Sequence, residues 1–274
     1  MTVRAARPVP AFQRTGPRAR FRDLIAAEWI KLWSLRSTGW TLGVTALVVI
    51  GSAVLEAKSA YDHYTGAPAD RGLVIRLAFP SFGYLTLMLV AISVGGLAVV
   101  GEYGSGLART TAVAVPARGS VVLAKAVVMA VVWTVAGTIM STVAFLTSQS
   151  ILDERGISFG YPGAFSALLG ASLLAPVCAL TGLGVLVRHA AATIGGGVVG
   201  LVLLPSLFSP TQPWSAALNH AMILAAWQRL TENYGPPQAG GYPYASLIES
   251  WIVYAVWPLV TITLALIVVR RRDV

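Results

Sequence analysis

A chain of 274 residues that is 56% hydrophobic and only 11% charged lacks the ionic skin of a soluble domain, which carries roughly 25% charged residues. A formal charge of +9 would suggest a nucleic-acid partner in a soluble protein, but here charge has first to be sorted by membrane side. The one cysteine, Cys178, lies in an apolar run and excludes both a disulfide frame and a cysteine metal site. Apolar runs longer than about 18 residues predict an all-α integral membrane protein.

Residues 1–19 read as a disordered basic tail, since "MTVRAARPVPAFQRTGPRAR" offers Arg and Pro where a secretory signal needs an apolar core. Residues 20–36 predict an interfacial amphipathic helix. At about 100° per residue, Phe21, Leu24, Ile25, Trp29, Leu32 and Leu35 gather on one side, with Arg22, Asp23, Lys31 and Ser34 mostly elsewhere. Glu28 breaks the pattern by projecting from the middle of the apolar side. It either snorkels or pairs with Lys31 at i+3, or it contacts a protein partner or another helix of the bundle.

A six-span transmembrane domain fills 37–269. Its predicted spans are Ser37–Leu55, Leu77–Val100, Val121–Leu146, Pro162–Val187, Ala190–Phe208 and Leu247–Val269, each long enough to cross a hydrocarbon core of about 30 Å. The fifth is the weakest helix, because "GGGVVG" and Pro205 lower its propensity. Fifteen of the 20 basic residues fall in 1–36, 101–125, Arg188 and 270–272, so both termini are expected in the cytoplasm. The excess charge thus becomes a topology signal and no nucleic-acid partner is expected.

Between spans two and three stands "GEYGSGLARTTAVAVPARG", Gly101 to Gly119. Ser105 can cap a short helix over Leu107–Val115, which Pro116 and Gly119 end. This cytoplasmic segment, 101–120, is far longer than a turn requires. It is either a solvated turn whose arginines enforce topology or an element presented to a partner. Glu102 would cost roughly 2.5–3.5 kcal/mol at a bilayer centre, so it belongs at the interface. Lys125, one turn into the third span, either snorkels or meets Glu102. Deeper in that span, Thr134, Thr138, Ser141 and Thr142 share a side, and Gly196 and Gly200 form a small-xxx-small pair in the fifth; both sets read as packing devices or as pathway lining. The outer segment 209–246 carries a weakly amphipathic helix over Trp214–Leu230 that either gates the outer face or caps the helix ends. A basic tail, 270–274, closes the chain.

No G-x-x-x-x-G-K-[ST] occurs: Lys31, Lys58 and Lys125 follow Ile30, Ala57 and Ala124. His63, His189 and His220 are scattered and no H-E-x-x-H is present, which argues against a metalloprotease. The spans carry no central acid, which argues against a proton-driven carrier.

"AEWIKLWSLRSTGWTL" followed by "GEYGSGLARTTAVAVPARGSVVLAKA" resembles the permease subunits of type-2 ATP-binding-cassette (ABC) transporters, notably actinobacterial ones. Glu102, Gly106, Arg109, Pro116, Arg118 and Lys125 match the recurring run of that family, whereas Gly104 stands where members often carry a basic or bulky residue. The resemblance implies a multi-pass protein of the bacterial plasma membrane. It implies a coupling segment, with Leu107 in the part gripped, that docks on a separate cytoplasmic ATPase. ATP and Mg would belong to that partner, leaving no cofactor and no enzyme activity in this chain. A second permease copy or a related chain, membrane lipid and an export direction complete the expectation. A non-transporting scaffold or immunity subunit, or a membrane enzyme, are the rival readings.

Overall fold

The structure is a computed structural model that describes residues 20–63, 71–104, 118–154, 163–184, 190–208, 212–234 and 242–271. Residues 20–36 open with α1 (Phe21–Ser34), which stops at Leu35 in an extended conformation so that α2 (Arg36–Asp62) starts at once in a new direction. A short α3 (Arg71–Ala78) precedes α4 (Ser81–Gly104). The second span was expected to begin at Leu77, but Pro80 lacks an N–H and pushes the residue before it out of the helical region, so the spanning helix begins at Ser81 instead. Next come α5 (Arg118–Asp153) and α6 (Ala164–Gly184). The remaining helices are α7 (Ala190–Leu207), α8 (Pro213–His220), α9 (Ile223–Leu230) and α10 (Leu247–Arg271).

Six of these helices, α2, α4, α5, α6, α7 and α10, are long and apolar enough to cross a membrane, and no strand occurs among the described residues. This is the architecture of an all-α multi-pass membrane protein, in which helices satisfy their own backbone groups away from water. The weakness expected of the fifth span takes a definite form. Its residues Val199–Leu203 make a π-turn, in which the Leu204 N–H donates to the Val199 carbonyl five residues back. Pro205 explains it, since its ring would press on the carbonyl four residues earlier in a regular helix.

The bundle is organised around α6, whose most apolar stretch is 61% buried against 17% for α2 and 22% for both α7 and α10. Lipid tails give apolar helices no solvent-driven reason to associate, so close backbone approach must supply the attraction. The sequence provides it with small residues. A Cβ at Gly95 of α4 would overlap the Ala179 carbonyl of α6, one at Gly182 the Ile92 carbonyl, and one at Gly137 of α5 the Ser172 carbonyl. On α7, Thr193 and Gly197 touch α4, whereas a Cβ added at Gly196 or Gly200 would meet nothing within 4 Å. The Gly196 and Gly200 pair, read from the sequence as a packing device or pathway lining, lies along a cavity it shares with Ile92 and Trp257.

At the far end, α5 runs on past the bundle. Leu152 joins Ala57, Val74 and Leu77 in a second small core, and the Gln149 amide donates to the Val74 carbonyl at 3.4 Å. The helix expected over Trp214–Leu230 is broken at Ala221 and Met222 into α8 and α9. Within α9, Ile223, Ala226, Trp227 and Leu230 are buried, and Trp227 stacks on Tyr84 at 5.5 Å between ring centres. This half of the segment is packed against the bundle. At the other end, Gly119 lies against Leu266 and Arg270, so the last helix returns to the end of the bundle where α5 starts.

Gly95→Ala should lower the stability of the purified protein by about 1–3 kcal/mol, the usual range for overpacking. Gly196→Ala should leave it unchanged or slightly raised, and thermal unfolding in detergent followed by size-exclusion recovery checks the pair.

Candidate functional site, a ring of four ions

Where α1 meets the bundle, it presents its ions inward and several of its largest apolar side chains outward. Leu24, Ile25, Lys31 and Leu32 are partly covered around a buried Glu28. Trp29, Ile30 and Trp33 are exposed on the other side, with the two indoles 6.0 Å apart. Tryptophan suits the headgroup layer because its ring is apolar and its N–H polar. The predicted apolar face is thus divided. Leu24, Ile25 and Leu32 take the protein side with Glu28, and Trp29 turns away.

Glu28 is tolerated in that position because cations surround it. One of its carboxylate oxygens accepts from Lys31 Nζ at 2.7 Å and the other from Lys125 Nζ at 2.8 Å. Glu102, near the end of α4, closes the ring: its Oε1 accepts from Lys125 at 2.9 Å and from Lys31 at 3.0 Å. Lys125 donates a third bond to the Ala98 carbonyl at 3.1 Å, which uses every donor of its ammonium group. Side-chain exposure falls from 40% at Lys31 and 19% at Glu102 to 9% at Lys125 and 7% at Glu28. The ring therefore has a wet side at Lys31 and a dry side between Glu28 and Lys125.

The local folds place these groups without strain. Glu28 and Lys31 are one helical turn apart on α1, where i,i+3 side chains are neighbours. Ala98 and Glu102 follow each other at i,i+4 on α4, so the carbonyl and the carboxylate face the same ammonium. Two carboxylates and two ammonium groups cancel, which is the condition for burial at the edge of a low-dielectric medium. Burial acts to lower the pKa of Lys31, but the hydrogen bonds and charges of Glu28 and Glu102 outweigh it and hold the ammonium above its ordinary 10.5. The Lys31 contribution to stability is accordingly complete below the ordinary lysine range. It is lost only as the pH rises through the elevated folded value.

Of the expected site residues, Glu28, Lys31, Glu102 and Lys125 come together. Lys125 is buried in ion pairs and does not snorkel. The link from Lys31 to Glu102 is an addition that the sequence pattern did not suggest, because it joins residues 71 positions apart. Arg118 opens α5; Gly106, Leu107, Arg109 and Pro116 lie outside the described residues. The polar stripe on α5 does not act as one surface. Ser141 is buried and accepts from the Tyr84 hydroxyl at 2.9 Å, Thr134 and Thr142 are half-buried, and Thr138 is exposed. No group of three or more potential metal ligands occurs among the described residues. What the ring does is mechanical: it ties α1, the end of α4 and the start of α5 into one body.

No family model matches the chain, and no curated protein matches it significantly.

Lys125→Met should destabilise the protein by about 3–5 kcal/mol, because it leaves two buried carboxylates with one partner. Adding Glu28→Gln to that variant should recover part of the loss. A double-mutant cycle read by thermal unfolding in detergent measures the coupling, and strict additivity of the two changes would show that the ring is not a unit.

Proposed function

We propose that this chain is the membrane-spanning permease subunit of an ATP-driven ABC-type transporter. The observation that carries the reading is the placement of the ring. Glu102 stands at the start of the 101–120 segment and Lys125 just after its end, and both are tied to α1, Glu102 through Lys31 and Lys125 through Glu28. A partner that pushes on this segment would load two spanning helices and the interfacial helix together. A turn serving only topology has no need of such a joint. The resemblance of the Glu102 to Lys125 run to type-2 ABC permeases supports the same reading, as does the absence from the sequence of a phosphate-binding loop of its own.

In this scheme the ATPase is a separate cytoplasmic polypeptide that holds ATP and Mg. The chain is a half-permease in the bacterial plasma membrane, paired with a second copy or a related chain. The 101–120 segment is the docking element, with Leu107 and Arg109 in the gripped part. ATP binding favours one arrangement of the paired bundles, and the ring passes that preference from the docking element to α1, α4 and α5. Export is the direction implied by the family resemblance.

The test is reconstitution with the ATPase encoded next to this chain. The parent should co-purify with that ATPase and change its hydrolysis rate in nanodiscs. Leu107→Asp combined with Arg109→Glu should reduce recovery of the ATPase at least tenfold, in line with a lost interface hot spot of more than 1.4 kcal/mol, while membrane insertion stays intact. A double variant that retains the ATPase and its rate change at parental levels would overturn the assignment of the segment.

A further inference from the structure

Directly beneath the ring, on the side of the membrane core, lies a cavity of about 320 Å³ between α1, α2, α4 and α5. Its floor is apolar and deeply buried, made by Met129, Val132 and Trp133. Its mouth is formed by Leu35, Ser37 and Leu97, all exposed, with the hydroxyls of Thr38 and Thr41 on the wall between. The volume falls in the range of ligand pockets, about 300–1,000 Å³. An apolar hole that opens beside a ring of ions and ends on the buried Trp133 has the polarity profile of a lipid: polar at one end, hydrocarbon at the other.

The charge at the mouth selects among lipids. The four ring ions cancel one another, and Arg22 is paired with Asp23 at 3.6 Å. Arg36 stands between the mouth residues Leu35 and Ser37, is exposed, and has no ion pair among the described residues. It also opens α2, whose first turn has no side-chain cap and so turns the positive end of the helix dipole towards an anion. The sequence preceding α1 carries five further arginines, Arg4, Arg7, Arg14, Arg18 and Arg20, and no acid. Among the described residues, the polar side chains that line the cavity, Ser37, Thr38 and Thr41, carry hydroxyls, and the cation Arg36 is next to Ser37 in the chain.

The geometry points to a binding site for one anionic phospholipid, with an acyl chain in the cavity between α1, α2, α4 and α5 and its phosphate held by Arg36 and the first turn of α2. Such a lipid would wedge under α1 on the core side of the ring, and its head would neutralise Arg36, which has no ion pair among the described residues. The inference stands apart from the transport reading, because lipid retention needs no ATPase.

The experiment incorporates the full chain into nanodiscs of equimolar phosphatidylglycerol and phosphatidylcholine, releases it into detergent and counts retained lipids by native mass spectrometry. The parent should keep one phosphatidylglycerol per protomer. Arg36→Gln, an exposed change that leaves the fold intact, should lower the preference for phosphatidylglycerol over phosphatidylcholine about fivefold, the effect of one surface cation on an anionic lipid. Leu97→Trp should fill the mouth and remove the retained lipid altogether, with the size-exclusion profile confirming that the variant is folded. A parent that retains no lipid, or retains both lipids equally, overturns the proposal. So does an Arg36→Gln variant with the parental preference.

Discussion

A charge at the edge of a hydrocarbon layer needs an opposite charge or water, and this protein has arranged four of them so that little water is required. Glu28 and Lys125 are more than nine-tenths covered, a state that neither would tolerate alone. Each is held by the other and by a second partner, so no single pair bears the whole desolvation penalty. The arrangement has a price in tolerance, because removing one member strands the rest. It also fixes a register: α1 can slide neither along α4 nor along α5 without pulling a carboxylate off an ammonium group. The ring also holds α1 over the cavity beneath it, which α1 shares with α2, α4 and α5.

The interior of the bundle obeys a different rule. Between α4, α5 and α6 the contacts are made by backbone against backbone, with Gly95, Gly137 and Gly182 leaving room for a neighbouring carbonyl. The two regimes divide the work. Small residues bring the central helices to van der Waals distance, where dispersion is collected from many atoms. Ions then fasten the peripheral helix α1, whose Trp29, Ile30 and Trp33 stay outside the contact. Tyr84 belongs to both, since its ring stacks on Trp227 while its hydroxyl bonds Ser141 across the α4–α5 interface.

Much of this was legible in the residues. Apolar runs locate spanning helices reliably because the membrane imposes a length that no other context demands. Glu28 was recognisable as an anomaly on a helical wheel, and Glu102 and Lys125 as charges too deep for ordinary solvent. That three helices would bring these side chains to one point, with Lys31, depends on crossing angles set by glycines far from the ions, and no local pattern encodes those. The same limit explains Gly196 and Gly197. Periodicity shows that small residues recur on α7, but which of two adjacent positions faces α4 is decided by how the helix rotates in its socket. The start of α4 was a different kind of miss. Pro80 was visible in the sequence, and hydropathy simply continued through it.

The length of α5 has a consequence of its own. At 36 residues it extends about 54 Å, well beyond a hydrocarbon core of about 30 Å, and it is pressed against α6 at Gly137, close to its midpoint. A stiff rod held near its middle is a lever on a fulcrum. Lys125 lies about 18 Å to one side of Gly137 and Leu152 about 22 Å to the other at 1.5 Å per residue. A tilt that moves the ring by an ångström therefore moves the small core around Leu152 by slightly more, in the opposite direction. The two faces of the membrane are joined by a single uninterrupted arm.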